Sequence, residues 1–298
     1  MAERSLAVPP KRHTFLVFTK NRRGKMKIRI LAAAAGVPLL LAVIFFAPHI
    51  AIGCVIGILA AIAAYELLRG ADPDRGIHVR IVVMILAAAI PAGAAFEAGN
   101  LVFFASVFIL MLFGFIVLIA SFERDKSMTL GNATAIFFAG GMIPLMFSSL
   151  VRLGAGDYSR VNILLPFVIS ITCDSGAYFA GITMGKHKLA PRVSPNKTIE
   201  GSIGGFLCGT LFAMLYGWIL TFSGYQVNFI LLACYGFLGS LVCQIGDLSF
   251  SVIKRLVGIK DYGNIIPGHG GVLDRFDSVI FAAPLIEILM IWAPAIWK

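Results

Sequence analysis

Apolar runs of bilayer length, following one another with little between them, restrict what this chain can become. From residue 30 onward about nine can be marked, near 30–47, 49–68, 80–97, 100–122, 132–152, 161–183, 201–222, 228–255 and 276–296. Each is roughly as long as a helix that crosses the hydrocarbon core. No polar stretch between them is long enough to fold as a soluble domain. Residues of the AVILMFWYC set make up 59% of the chain and charged residues 13%, more apolar surface than a water-soluble core requires. The expected fold is all-α, a polytopic integral membrane protein of about nine transmembrane helices. Three parts separate: a basic tail over 1–29, N-terminal transmembrane helices over 30–152, and a C-terminal transmembrane region over 153–298 that carries the chemistry. Glycines recur at four-residue spacing, as at Gly53 and Gly57 or Gly201, Gly205 and Gly209, which lets helices approach closely. The five cysteines lie in apolar runs without a CxxC pair and read as small buried hydrophobes, not as a disulfide or metal site.

A formal charge of +10 raises the question of a nucleic-acid partner, and its distribution argues against one. With the N-terminus in the cytoplasm, 22 of the 25 Lys and Arg fall on that side, leaving only Arg152, Arg160 and Lys298 outside. That asymmetry orients the chain: a multi-pass protein of the cytoplasmic (inner) membrane, N-terminus inside and C-terminus outside.

Against this apolar background the acids stand out. Asp247, Ser251 and Arg255 are spaced by four and share one helix face. Lys260 and Asp261 follow, then a loop with Pro267, Gly268, His269, Gly270 and Gly271, then Asp274 and Asp277 at the mouth of the last run. The sixth run carries Asp174 toward the same side. Four acids thus converge at one cytoplasm-facing depth. An isolated carboxylate in hydrocarbon costs about 3 kcal/mol or more, so a shared, water-accessible cavity holding a cation is expected. Asp247, Asp274 and Asp277 are the expected metal ligands, and hard oxygens without a His–Cys cluster suit Mg²⁺. Each acid has the alternative of pairing with Lys254, Arg255 or Arg275. A second basic stretch, Ser194-Pro195-Asn196-Lys197-Thr198-Ile199-Glu200-Gly201, is a stiffened loop entering a helix N-terminus. It reads as an anion site in which Lys197 and Thr198 contact phosphate, or as a positive-inside loop with a Thr cap. The glycines around His269 allow close backbone approach to phosphates.

Ser251, Lys254-Arg255, Lys260-Asp261, His269-Gly270-Gly271 and Asp274-Arg275-Phe276-Asp277, with every spacer in register, resemble the signature of the phosphatidate cytidylyltransferase family, also called CDP-diacylglycerol synthases. The Ser194–Gly201 run resembles a further motif of that family. The likeness extends from Asp174 to the C-terminus, and the first half matches only as a generic membrane protein. The resemblance implies transfer of CMP from CTP to phosphatidic acid, giving CDP-diacylglycerol and pyrophosphate. It implies Mg²⁺ as cofactor, as two divalent ions or one with a monovalent ion. It implies catalytic roles for Asp247, Ser251, Lys254, Arg255, Lys260, Asp261, His269 and Arg275. Substrate contacts are implied for Asp174, Ser194, Asn196, Lys197, Thr198, Glu200, Gly270 and Gly271. CTP, phosphatidic acid and the bilayer are the implied partners, and a homodimer stays open. One departure is plain: many members carry Glu immediately before the signature Ser, and here that position is Phe250. Two other functions fit a membrane protein of this kind. One is a CTP-dependent polyprenol or phytol kinase, which transfers the γ-phosphate. The other is an ion-coupled transporter with acids near the midplane.

Overall fold

The computed structural model describes residues 38–96, 99–122, 130–155, 160–265 and 270–298. The basic tail expected over 1–29 and the loop residue His269 lie outside these. The described chain is helical at 38–46 (α1), His49–Ala71 (α2), Ile77–Gly93 (α3), Gly99–Phe122 (α4), Leu130–Phe137 (α5), Ile143–Arg152 (α6), Val161–Met184 (α7), Ile199–Thr221 (α8), Phe229–Leu256 (α9), Leu273–Phe276 (α10) and Val279–Trp292 (α11). A π-turn at Phe138–Met142 joins α5 to α6, making Leu130–Arg152 one span. Among the described residues six helices are long and apolar enough to cross a membrane, and α3 and α11 are shorter apolar helices. The fold is an all-α, multi-pass membrane protein. Two small antiparallel ribbons are added to it: β1 (Lys188–Ala190) with β2 (Ser194–Thr198), and β3 (Gln226–Val227) with β4 (Ile296–Trp297).

The last run differs from its expected extent of 276–296. It is broken into α10 and α11, because Asp277 turns its carboxylate onto the N–H of Ser278 at 2.9 Å and so offers the backbone a local alternative to a helical bond. It stops at Trp292, before Pro294, whose ring disfavours helix at the preceding residue, and the chain then pairs as β4. The third run is shifted toward its start and ends at Gly93.

Side-chain contacts sort the connections into two ends. At one, Arg75 reaches Ser121 Oγ (3.0 Å), Arg255 Nε donates to Val193 O (3.3 Å), and Glu66 accepts from Val272 N (3.0 Å). This is where the connections after α2, α7 and α9 gather. At the far end Arg160 donates to Phe45 O (2.7 Å), Tyr216 to Val161 O (2.6 Å) and Tyr235 to Ala293 O (2.6 Å). Arg152 closes the same end on Glu287, with Nη2 to Oε2 at 2.9 Å. Helices α2 to α6 pack on one another, α7 to α9 form a second group, and α11 lies against α6, α7 and α9.

The close contact of α7 with α8 positions the site, and small residues make it possible. A Cβ placed on Gly176 would stand 2.5 Å from Cys208 Cβ and 2.8 Å from Gly204 O. Asn228 caps α9, its side chain accepting from Ile230 N (3.1 Å) and Leu231 N (3.2 Å), which satisfies two N–H groups left open by the first turn. All five cysteines are free; Cys173 and Cys243 are buried, whereas Cys54 and Cys234 are exposed. Gly176→Val is expected to cost about 1–3 kcal/mol through overpacking, read as a lower thermal midpoint in detergent. Gly76→Ala, with no neighbouring atom within 4 Å of the added carbon, should leave the midpoint in place.

Candidate active site

A cavity of about 520 Å³ opens between α7, α8 and α9 at the end where the acidic segment lies. Asp174 and Tyr178 of α7, Asn196 and Lys197 of β2, Ser202 of α8 and Gln244 and Asp247 of α9 are among the residues that bound it. Gln244 ties the walls together: its amide donates to Ser202 O (3.1 Å), and the Ser202 hydroxyl bonds back to its Oε1.

The β1–β2 ribbon is pinned at both sides. Thr198 is buried and its hydroxyl accepts from Gly201 N at 3.1 Å, capping α8. Glu200 accepts from Lys186 N (3.1 Å) and His187 N (3.2 Å) and meets the His187 ring at 2.6 Å. Thr198 and Glu200, two of the expected substrate contacts, thus also hold the ribbon, and Thr198 lines the cavity as well. The ribbon lines the cavity with Lys188, Leu189, Asn196, Lys197 and Thr198, and Ser194 is half-buried. Lys197 Nζ pairs with Asp247 Oδ2, and Ser251 Oγ lies 3.4 Å from Asp247 Oδ1.

A second pair sits deeper. Lys254 Nζ bonds Asp274 Oδ1 at 2.8 Å, with side chains only 12% and 4% exposed. Asp274 Oδ2 accepts from Tyr262 N (2.8 Å) and Gly271 N (3.0 Å). Gly270, at φ 92°, turns the chain into this arrangement through a conformation that a side chain would oppose. Asp277 is buried, and its carbonyl lies against Gly246, so the approach to α11 packs on the turn of α9 that carries Asp247. Asp174, Asp247 and Asp277 are close enough for their charges to interact. Asp247 and Lys254, the partner of Asp274, are two helical turns apart on α9, about 10 Å. Arg255 is exposed and holds the ribbon at Val193. Lys260 and Asp261 are exposed in the segment after α9, away from the cavity wall.

Among the described residues no group of three or more His, Cys, Asp or Glu is arranged to hold a metal. Mg²⁺ carried by a nucleotide needs only one or two protein carboxylates, the phosphates and water supplying the rest. Asp247, with Asp277 near it, suits that shared mode and not an all-protein cage.

Two features lie outside the sequence expectation. Glu66 of α2, 2% exposed, reaches the acidic segment from the N-terminal half and accepts from Val272 N (3.0 Å) and Leu273 N (2.9 Å). The signal was present as one acid inside an apolar run, Tyr65-Glu66-Leu67. Phe250, the position that departs from the resembled family's usual pattern, is fully buried with ring centroids 5.9–6.2 Å from those of Phe138, Tyr262 and Phe281. Tyr262 donates its hydroxyl to Phe250 O at 3.0 Å. Burial, reinforced by Asp274 and Asp277, pushes its phenol above the usual range, so it remains a neutral donor. The contrast between the two ion pairs is testable. Lys254→Met leaves Asp274 buried without its cation and is expected to cost about 3 kcal/mol. Lys197→Met, at a pair whose side chains are both 27% exposed, should cost about 1 kcal/mol or less. Unfolding midpoints in detergent compare the two.

Comparison with known proteins shows the family. The model of the Cytidylyltransferase family matches residues 27–292. A Staphylococcus haemolyticus protein named phosphatidate cytidylyltransferase is 48% identical over 129 residues, 43% of this chain and 48% of that protein. One from Staphylococcus aureus with the same name is 50% identical over 131 residues, again 43% of this chain and 48% of its own length. The aligned stretch thus spans about half the length of these relatives. With the family match running through nearly all its spans, the chain belongs to the cytidylyltransferase family.

Proposed function

We propose that the protein is a phosphatidate cytidylyltransferase of the cytoplasmic membrane, joining CTP and phosphatidic acid into CDP-diacylglycerol. One observation carries the reading: Lys197, from the ribbon before α8, meets Asp247, from α9, at the wall of one cavity. A cation-bearing motif and an acid-bearing motif from separate parts of the chain are what a reaction between two phosphates requires. The names of the relatives supply the substrate pair.

A phosphate oxygen of phosphatidate attacks the α-phosphorus of CTP. The bond from that phosphorus to the oxygen bridging to the β-phosphate breaks, and pyrophosphate leaves with that electron pair. An ionised phosphate is its own nucleophile and needs no base, so the protein's part is to position the reactants and offset charge. Lys197 takes the triphosphate at the cavity wall, with Asn196 beside it. Lys254, Arg255 and Arg275 add positive charge from the α9–α10 side, and Ser251 orients one phosphate from the face of α9. Incoming phosphates compete with Asp247 for Lys197, which frees carboxylate oxygens on the cavity side. Mg²⁺ held by Asp247 and by Asp274 or Asp277 would neutralise the phosphates and stabilise the departing pyrophosphate. The site end bears the Lys and Arg of the connections after α2, α7 and α9, and the positive-inside rule turns it to the cytoplasm. CTP arrives there from water, and phosphatidate from the inner leaflet.

Purified protein given phosphatidate, Mg²⁺ and CTP labelled on the α-phosphate is expected to place label in the lipid and to release pyrophosphate. Label entering lipid only from the γ-position would make it a kinase instead. Asp274→Asn is expected to lower Mg²⁺-dependent incorporation by at least about 100-fold while the protein still inserts. Activity equal to wild type would remove Asp274 from the mechanism.

A further inference from the structure

The segment from Asp261 to Asp274 is held partly from within and partly from outside. Its two described ends, 261–265 and 270–274, are fastened by two carboxylates that divide the available backbone groups between them. Asp274 takes the N–H groups of Tyr262 and Gly271. Glu66 takes the next two, Val272 N at 3.0 Å and Leu273 N at 2.9 Å. The same two ends close sterically around the Glu66 side chain. A Cβ on either Gly263 or Gly271 would run into its carboxylate, so both glycines leave the room that the carboxylate occupies. Glu66 is 2% exposed and comes from α2, far along the chain from the residues it binds.

A buried carboxylate is costly unless donors satisfy it, and bonds from N–H groups to an ionised acceptor are among the stronger ones. Its acceptors therefore fix where residues 271–273 lie. Asp274 follows directly, and Lys254 can meet Asp274 only while that register is kept. We propose that Glu66 is a positioning residue for the reaction: it locks the backbone of Val272 and Leu273 so that Asp274, Arg275 and the glycine turn at Gly270 keep their working geometry against α9. The proposal rests on the cytidylyltransferase reading for its effect on rate, though not for its effect on structure. It also assigns a task at the site to the N-terminal half of the chain.

The test uses the full chain in lipid nanodiscs, comparing wild type with Glu66→Gln, which keeps shape but turns an amide N–H₂ toward a backbone donor, and with Gly263→Ala, which crowds the carboxylate without removing it. Hydrogen exchange of the peptide covering 270–276 is read alongside kcat and KM per folded molecule. In both variants exchange is expected to quicken by at least about tenfold. In Glu66→Gln kcat is expected to fall about 100-fold, as for a small misplacement of reacting groups, with KM for CTP within about twofold. Glu66→Asp, which keeps the charge, should recover part of the lost kcat. Unchanged exchange in Glu66→Gln overturns the proposal, as does faster exchange with wild-type kcat, which would make Glu66 a fold residue only. If wild type itself puts no CMP into lipid, the reaction reading fails, and the exchange rates alone decide whether Glu66 holds the segment.

Discussion

Hydrocarbon offers no water to a charged group, so every acid carried into a membrane must be met by a donor from the protein itself. In this chain the donors come from distant segments. Glu66 of α2 is met by backbone N–H groups at the start of α10, Asp274 by Lys254 of α9, Asp247 by Lys197 of the ribbon, and Glu287 of α11 by Arg152 of α6. Apolar helices in lipid can slide and rotate with little penalty, because one leucine surface packs much like another. A carboxylate that must reach a particular N–H cannot. These pairings set the register between α2 and α10, between the ribbon and α9, and between α6 and α11, and the apolar contacts fill in around them.

The two lysine–aspartate pairs of the site are not equivalent. Lys254 and Asp274 are nearly sealed, and Asp274 accepts two further backbone bonds, so breaking that pair means opening the segment. Lys197 and Asp247 stand at the cavity wall with 27% of each side chain accessible. Water screens that pair and a phosphate can reach it, so it exchanges partners at little cost. The arrangement separates a fixed anchor from an exchangeable pair about two helical turns away. Such a division lets a site accept highly charged substrates without losing its shape.

Length and spacing carried most of what could be read in advance. The runs from α7 to α9 were legible because bilayer-length apolar stretches leave clear marks, as does a Thr at the helix entry, at Thr198. The four-residue rows on α9 placed Asp247 with Ser251. What could not be read was which donor answers which acid, since that depends on contacts across the whole chain. Thr198 read either as a phosphate contact or as a helix cap, because an anion site and a capped helix entry use the same residue types, and Glu200 entered only as a substrate contact that the resemblance implies. The structure engages both in holding the ribbon. Glu66 was passed over because its run resembled any other span. The break at Asp277 was hidden because three-residue spacing suits a continuous helix equally well.

Phe250 stands at the one position that departs from the resembled signature, and its packing gives it a structural part. A carboxylate at this position would be fully buried among Phe138, Tyr262 and Phe281, and the local rings offer it no strong donor. The phenyl ring instead packs edge-on against Tyr262 and Phe281, an arrangement that favours aromatic pairs. Tyr262 is the residue whose N–H binds Asp274 and whose hydroxyl returns to Phe250 O. Apolar packing at 250 thereby supports the same loop that Glu66 fastens from the other side. The π-turn in the fifth span brings Phe138 to that cluster, so this irregular stretch of helix also bears on the loop. A substitution that removes one charge near the site is accommodated because the position steadies backbone, and a well-packed ring can do that without needing a counter-ion.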